Sequence, residues 1–179
     1  AVYARSRRRD LAPLLAAKAA SALVVAHVPP VEPGSRPAQV LVASASDLAP
    51  DTREQPWALG QAIAGELLRW VVLTAGAAGA RAYAENEQLE ATTTPVEPVD
   101  TTGAGDAFAA GLVHALVGGR SMPEALAVAA RFGTEATLWA TSALPALAVH
   151  RLLREMAESG SAGQHAKPSV SSDGYQKMA

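Results

Sequence analysis

Apolar residues in this chain follow two rhythms. Leu23–Ala26, Val40–Ala43 and Trp70–Thr74 are short unbroken runs, which predict strands buried on both faces. Elsewhere apolar positions recur at helical spacing. Leu11, Leu14 and Leu15, with Lys18, predict a helix over Asp10–Ala22 capped by Asp10. Leu59, Ile63, Leu67 and Leu68 predict another over Trp57–Arg69. Pro29, Pro30, Pro33, Gly34 and Pro37 mark an irregular loop. Ala80–Tyr83 and Leu89–Thr93 predict two short strands around Glu85-Asn86-Glu87, with Val96–Val99 as an extension. Three helices follow: Ala104–Val117, Pro123–Trp139 with Ser121 near its cap, and Pro145–Ala157. This order predicts an α/β fold, a mostly parallel sheet flanked by helices on both faces.

Composition refines that picture. The chain has 179 residues, enough for one ordinary domain, and 49% of them are hydrophobic. Alanine fills more than a fifth of the positions and aromatics only 4%. Such a core buries little area per residue and depends on close approach of its elements. Fifteen basic against 17 acidic residues give a net charge of −2, which argues against nucleic acid as a partner. The absence of cysteine excludes disulfides, thiolate zinc sites and cysteine nucleophiles. No apolar run reaches the roughly 18 residues of a membrane span, and Asp10, Pro13 and Lys18 interrupt any signal-peptide pattern. The expectation is a cytoplasmic protein with no membrane partner. Arg5, Arg7, Arg8 and Arg9 make residues 1–9 a basic, solvated segment ahead of a folded region over 10–158. From Ser159 the composition turns to Ser, Gly, Gln and Lys, which predicts a disordered tail over 159–179. His27, His114, His150 and His165 lack ligand-like spacing, and His114 reads as a packing residue.

The chemistry concentrates in Asp100-Thr101-Thr102-Gly103-Ala104-Gly105-Asp106-Ala107-Phe108. A Gly-x-Gly turn runs straight into an alanine-rich helix. Small residues let backbone approach a ligand closely. The first helical turn carries unpaired N–H groups and partial positive charge, which suits phosphate. Asp106 sits in that same turn, where the dipole favours its ionised form. An anion hole beside an ionised carboxylate is what phosphoryl transfer to a hydroxyl requires. A tight loop with an N-terminal helix carboxylate is the plainer reading of Gly-x-Gly-Asp alone.

The full string resembles the signature of the ribokinase-like (PfkB) carbohydrate kinases, Asp-Thr-x-Gly-Ala-Gly-Asp-x-Phe. Asp100, Thr101, Gly103, Ala104, Gly105, Asp106 and Phe108 match all seven defined positions. The resemblance implies a three-layer α/β/α fold and an ATP-dependent phosphotransferase acting on a hydroxyl of a sugar or nucleoside-like acceptor. It implies Asp106 as catalytic base and an anion hole at Gly103, Ala104 and Gly105. Asp100 and Thr102 would lie near a monovalent-cation site, K+ in type, that many relatives have. Val72-Leu73-Thr74-Ala75-Gly76-Ala77-Ala78-Gly79 is similar to the family's strand followed by Gly-x-x-Gly, which implies Thr74, Gly76 and Gly79 in the nucleotide site. Ala129–Thr134 corresponds to the helix bordering the adenine.

The chain departs from the pattern in three places. The resemblance spans Leu11–Ala157 and leaves out the family's N-terminal strands, lid and acceptor-binding residues. An exposed sheet edge is therefore expected, covered by a second copy or a partner, or else the chain is a fragment of a longer product. Where the family often has Asn-x-x-Glu, this chain has Ser44-Ala45-Ser46-Asp47. Ser44 and Asp47 can hold a hydrated Mg2+, with Asp100 as the other metal candidate, or Ser46 or Asp47 caps a short helix. Trp139–Pro145 lacks the glycine usual after the adenine-side helix. A non-catalytic, kinase-like module that binds nucleotide or serves in assembly is the alternative function.

Overall fold

The apolar runs become the centre of a single six-stranded sheet. In this computed structural model, which describes residues 1–5, 10–28 and 31–163, the strands lie side by side in chain order. They are β1 (Val2–Ala4), β2 (Val24–Val28), β3 (Val40–Ser44), β4 (Trp70–Thr74), β5 (Ala80–Tyr83) and β6 (Gln88–Ala91). β1 to β4 are parallel, with Ala26 opposite Leu41 and Leu41 opposite Val71. β5 and β6 complete the sheet as an antiparallel hairpin, with Val72 opposite Ala82. Parallel strands covered on both sides have no use for polar alternation, and β3 is buried from Val40 to Ala43.

The helices follow the strands. α1 (Ala12–Ala19) lies between β1 and β2. α2 (Pro50–Glu54) and α3 (Pro56–Ala64) lie between β3 and β4. Leu15 of α1 and Ile63 of α3 join Val24, Ala26, Val28, Leu41, Ala43, Val71 and Leu73 in one core cluster. Strand alternation turns Val25, Val42, Val72 and Ala82 to the opposite face, and all four are buried. α4 (Ala104–Val117) and α5 (Met122–Ala136) pack on each other, and α5 packs on β5 and β6. Glycine makes the α4–α5 contact close: a Cβ on Gly111 would lie 3.0 Å from the Phe132 side chain. An alanine-rich core reaches adequate density this way. α6 (Ala146–Gly163) starts a separate compact unit and carries buried Ala148, Leu152 and Met156 at a spacing of four.

Among the described residues of the β2–β3 connection there is no helix. The Gly34 N–H donates to the Ala62 carbonyl at 2.8 Å and the Arg36 N–H to the Ile63 carbonyl at 3.1 Å, so the loop is tied to the end of α3. Arg36 is fully buried there and donates from Nη1 to the Ser35 carbonyl at 2.8 Å. Desolvation draws its pKa down, opposed by the negative charge of Glu32.

Several boundaries differ from expectation. Val2–Ala4 form an edge strand rather than part of a solvated segment, and Ser6–Arg9 lie outside the described residues. α1 begins at Ala12 with Leu11, not Asp10, at its N-cap, because Pro13 suits the first turn of a helix. α3 stops at Ala64, where Gly65 takes φ +70, and Gly65–Leu67 form a 3-10 turn. α2 was not anticipated. Val96–Val99 form no strand. α5 ends at Ala136 and is opened by the Ser121–Glu124 capping box. α6 runs on to Gly163, past the expected start of a tail, and residues 164–179 lie outside the described part. His114 is exposed rather than packed.

Candidate active site

Four chain segments reach the carboxyl-terminal edge of the parallel strands, where ligands bind in open α/β sheets. β3 ends at Ser44 and β4 at Thr74, directly opposite one another. β1 ends at Ala4, and Arg5 follows it. Arg5 Nη1 forms an ion pair with Asp106 Oδ1, which places the start of α4 over the same edge. Both side chains are about half exposed, at 52% and 49%. An exposed pair of this kind contributes only about 0–1 kcal/mol to stability.

The turn before α4 is fixed by backbone bonds. The Val99 and Asp100 N–H groups donate to the Thr137 carbonyl at 2.8 and 3.2 Å, hanging the segment on the end of α5. Asp100 Oδ1 accepts from the Thr102 N–H at 2.8 Å. That bond, with help from the Thr102 hydroxyl, holds the Asp100 carboxyl below the ordinary carboxylate range. Gly103 is the helix N-cap at φ +81, and a Cβ there would collide with the Ser142 carbonyl.

The first turn of α4 faces outward. The Ala104 N–H bonds the Thr101 carbonyl and the Ala107 N–H bonds the Gly103 carbonyl. The Gly105 and Asp106 amide hydrogens have no acceptor among the described residues. Gly105 and Asp106 are exposed, Gly103 and Ala104 half-buried, and a Cβ on Gly105 would meet nothing within 4 Å. Two free N–H groups at the positive end of a 14-residue helix can receive an anion.

The second glycine turn follows β4. Thr74 Oγ1 donates to the Ala43 carbonyl at 3.4 Å. Gly76–Ala78 form a 3-10 turn, with Gly76 at φ +56 and Gly79 at φ +89. The Ala75 N–H bonds the Gly79 carbonyl at 2.8 Å, and a Cβ on Gly79 would strike the Ala91 carbonyl. Thr93 Oγ1 donates to the Ala77 carbonyl at 2.6 Å, binding the turn to the irregular segment that follows β6.

Ser44 opens the 3-10 turn Ala45–Asp47, and its hydroxyl accepts from the Ser46 N–H. Ser44, rather than Ser46 or Asp47, is therefore the cap. Asp47 is exposed just beyond the end of β3. Among the described residues no three His, Cys, Asp or Glu side chains come together as a metal cluster. Asp47 and Asp100 nevertheless offer oxygen donors of the kind Mg2+ accepts, since that ion keeps several waters and takes one or two carboxylates plus substrate phosphates.

Arg5 escaped the sequence reading because it merged with a basic run. Its place at the end of β1 depends on pairing with β2, which three residues do not announce. Thr137 and Ser142 brace the turn through backbone carbonyls, which leave no trace in residue type.

A mostly parallel sheet flanked by helices, with a glycine turn and a carboxylate at its carboxyl-terminal edge, defines an α/β fold. The family model for pfkB family carbohydrate kinases matches residues 8–143, and this chain belongs to that family. Its fold is that of ribokinase from Thermotoga maritima, at a TM-score of 0.64 and 18% identity over 85% of this chain and 56% of the other. It is also that of aminoimidazole riboside kinase from Salmonella enterica, solved with aminoimidazole riboside and an ATP analogue, at 0.65 and 21% over 84% of this chain and 61% of the other. A putative ribokinase II from Escherichia coli, solved with ATP and Mg2+, gives 0.58 and 20% over 77% and 50%. The chain thus spans between half and three-fifths of these proteins' lengths. Among its described residues no helix is long and apolar enough to cross a membrane.

Proposed function

We propose that this chain carries the phosphoryl-transfer half of an ATP-dependent kinase acting on a sugar or nucleoside-like alcohol in the cytoplasm. The observation that carries the reading is the exposed first turn of α4, where free amides adjoin the Asp106 carboxylate. The Gly105 and Asp106 N–H groups stabilise charge on the moving phosphoryl group. The Asp106 carboxylate accepts the proton of the attacking hydroxyl. Use of the Gly105 and Asp106 amides shifts the anion hole expected at Gly103, Ala104 and Gly105 by one residue, since the Ala104 N–H already bonds the Thr101 carbonyl. Ala104 keeps the turn slim, and Gly103 sets its direction. Thr74, Gly76 and Gly79 form the shelf on which the nucleotide lies, with Thr102 at its margin.

Mg2+ neutralises phosphate charge when bound, and Asp47 and Asp100 are the residues that would hold it. A monovalent cation such as K+ belongs beside Asp100 and Thr102 in the same reading. The longer relatives have further sequence beyond the matched span, and the outer edge of β1, unpaired among the described strands, is where a second copy or a partner would continue the sheet.

The span of the match favours a second reading, a module that binds nucleotide without catalysis. Phosphorylation of a panel of sugars and nucleosides by Mg-ATP, run on this chain and on Asp106→Asn, separates the two. Transfer that depends on Asp106 supports the kinase. Nucleotide binding without transfer supports the module, and no binding at millimolar nucleotide removes both.

A further inference from the structure

The Arg5–Asp106 ion pair has little structural purpose. Both partners are half exposed, and β1, which carries Arg5, is a three-residue strand at the edge of the sheet. A pair so solvated adds little to folding. Its location is more informative than its strength. It lies at the ligand edge, and its carboxylate is the one assigned as base. A carboxylate there repels the polyanionic donor that the neighbouring amides are meant to receive. A guanidinium beside it cancels that repulsion, and its planar fork can bind two phosphate oxygens at once.

We propose that Arg5 is a donor-binding residue that exchanges partners: it holds Asp106 in the free chain and passes to the nucleotide's phosphate oxygens when they arrive. The exchange keeps one cation matched to one anion throughout. It also leaves Asp106 Oδ1 bare, ready for the acceptor hydroxyl, only once the donor is in place. Arg5 thereby couples donor binding to exposure of the base. The inference rests on the kinase reading above.

The test is calorimetric titration of the full chain with a non-hydrolysable ATP analogue and Mg2+. Arg5→Gln is expected to weaken binding by roughly tenfold, the scale of a lost charge-assisted contact, with Arg5→Lys in between. Asp106→Asn is expected to tighten binding, because it removes the repulsion and frees Arg5. Melting curves by circular dichroism should be unchanged for all three. The Arg5 Nε–H resonance of the unmodified chain should move on adding the analogue, a readout independent of any substitution. If Arg5→Gln binds within twofold of the unmodified chain, or that resonance stays still at saturation, the exchange is overturned while the kinase reading stands. If the unmodified chain binds no analogue, the kinase reading fails and this inference falls with it.

Discussion

The two glycine turns at the ligand edge are built alike and end differently. Each has one glycine jammed against a carbonyl, Gly79 on Ala91 and Gly103 on Ser142. Each has another facing open space, Gly76 and Gly105. The jammed glycines serve the fold, because only a residue without Cβ fits there at positive φ. The open ones leave room for a ligand. From Gly76 the chain makes three residues of 3-10 turn and enters a hairpin, so few aligned dipoles stand behind it. After Gly103 it makes a 14-residue helix whose first amides point outward. One turn is a short wall, and the other is the anion hole of the proposed reading.

That contrast can be broken by substitution. Asp106→Asn should lower phosphoryl transfer by at least ~10²-fold in kcat, whereas Thr74→Ala on the other turn should mainly raise KM for ATP. Steady-state kinetics with Mg-ATP and an acceptor that becomes phosphorylated would decide it. Gly103→Val and Gly79→Val should each cost about 2–4 kcal/mol in urea unfolding, since both force a Cβ into a carbonyl at positive φ. Gly105→Val should leave folding within about 1 kcal/mol yet weaken the Mg-ATP analogue about tenfold, by filling the space over the free amides. Gly76→Val should cost stability through its positive φ and leave analogue affinity less changed.

The smallest effect concerns acid. Asp100 is held below the usual carboxylate range by the Thr102 N–H. Its contribution is therefore present above the unfolded carboxylate pKa and lost as pH falls through the lower folded value, below about pH 4. Asp100→Asn should flatten the fall of Tm in that window and leave Tm near pH 7 little changed, as thermal melts across pH would show.

Much of this was legible in residue order, and the exceptions have physical causes. α4 begins and ends where the pattern put it, because Gly103 and Gly118 bracket a run rich in alanine and leucine. β4 was readable from its apolar run, and β5 from the turns on either side of it. The end of α3 was also written locally, in Gly65, but the apolar spacing of Leu67 and Leu68 outweighed it. β1 could not be read from three residues, since its strand character comes from pairing with Val24, Val25 and Ala26 some twenty positions away. The ion pair of Arg5 with Asp106 depends on that long-range pairing and was invisible for the same reason.

The central claim is that a phosphate settles on the amides at the start of α4. Backbone resonances followed while the Mg-ATP analogue is added would test it residue by residue. The largest amide shifts should fall on Gly105 and Asp106, with smaller ones at Gly76. Saturable binding that leaves Gly105 and Asp106 unmoved would contradict it.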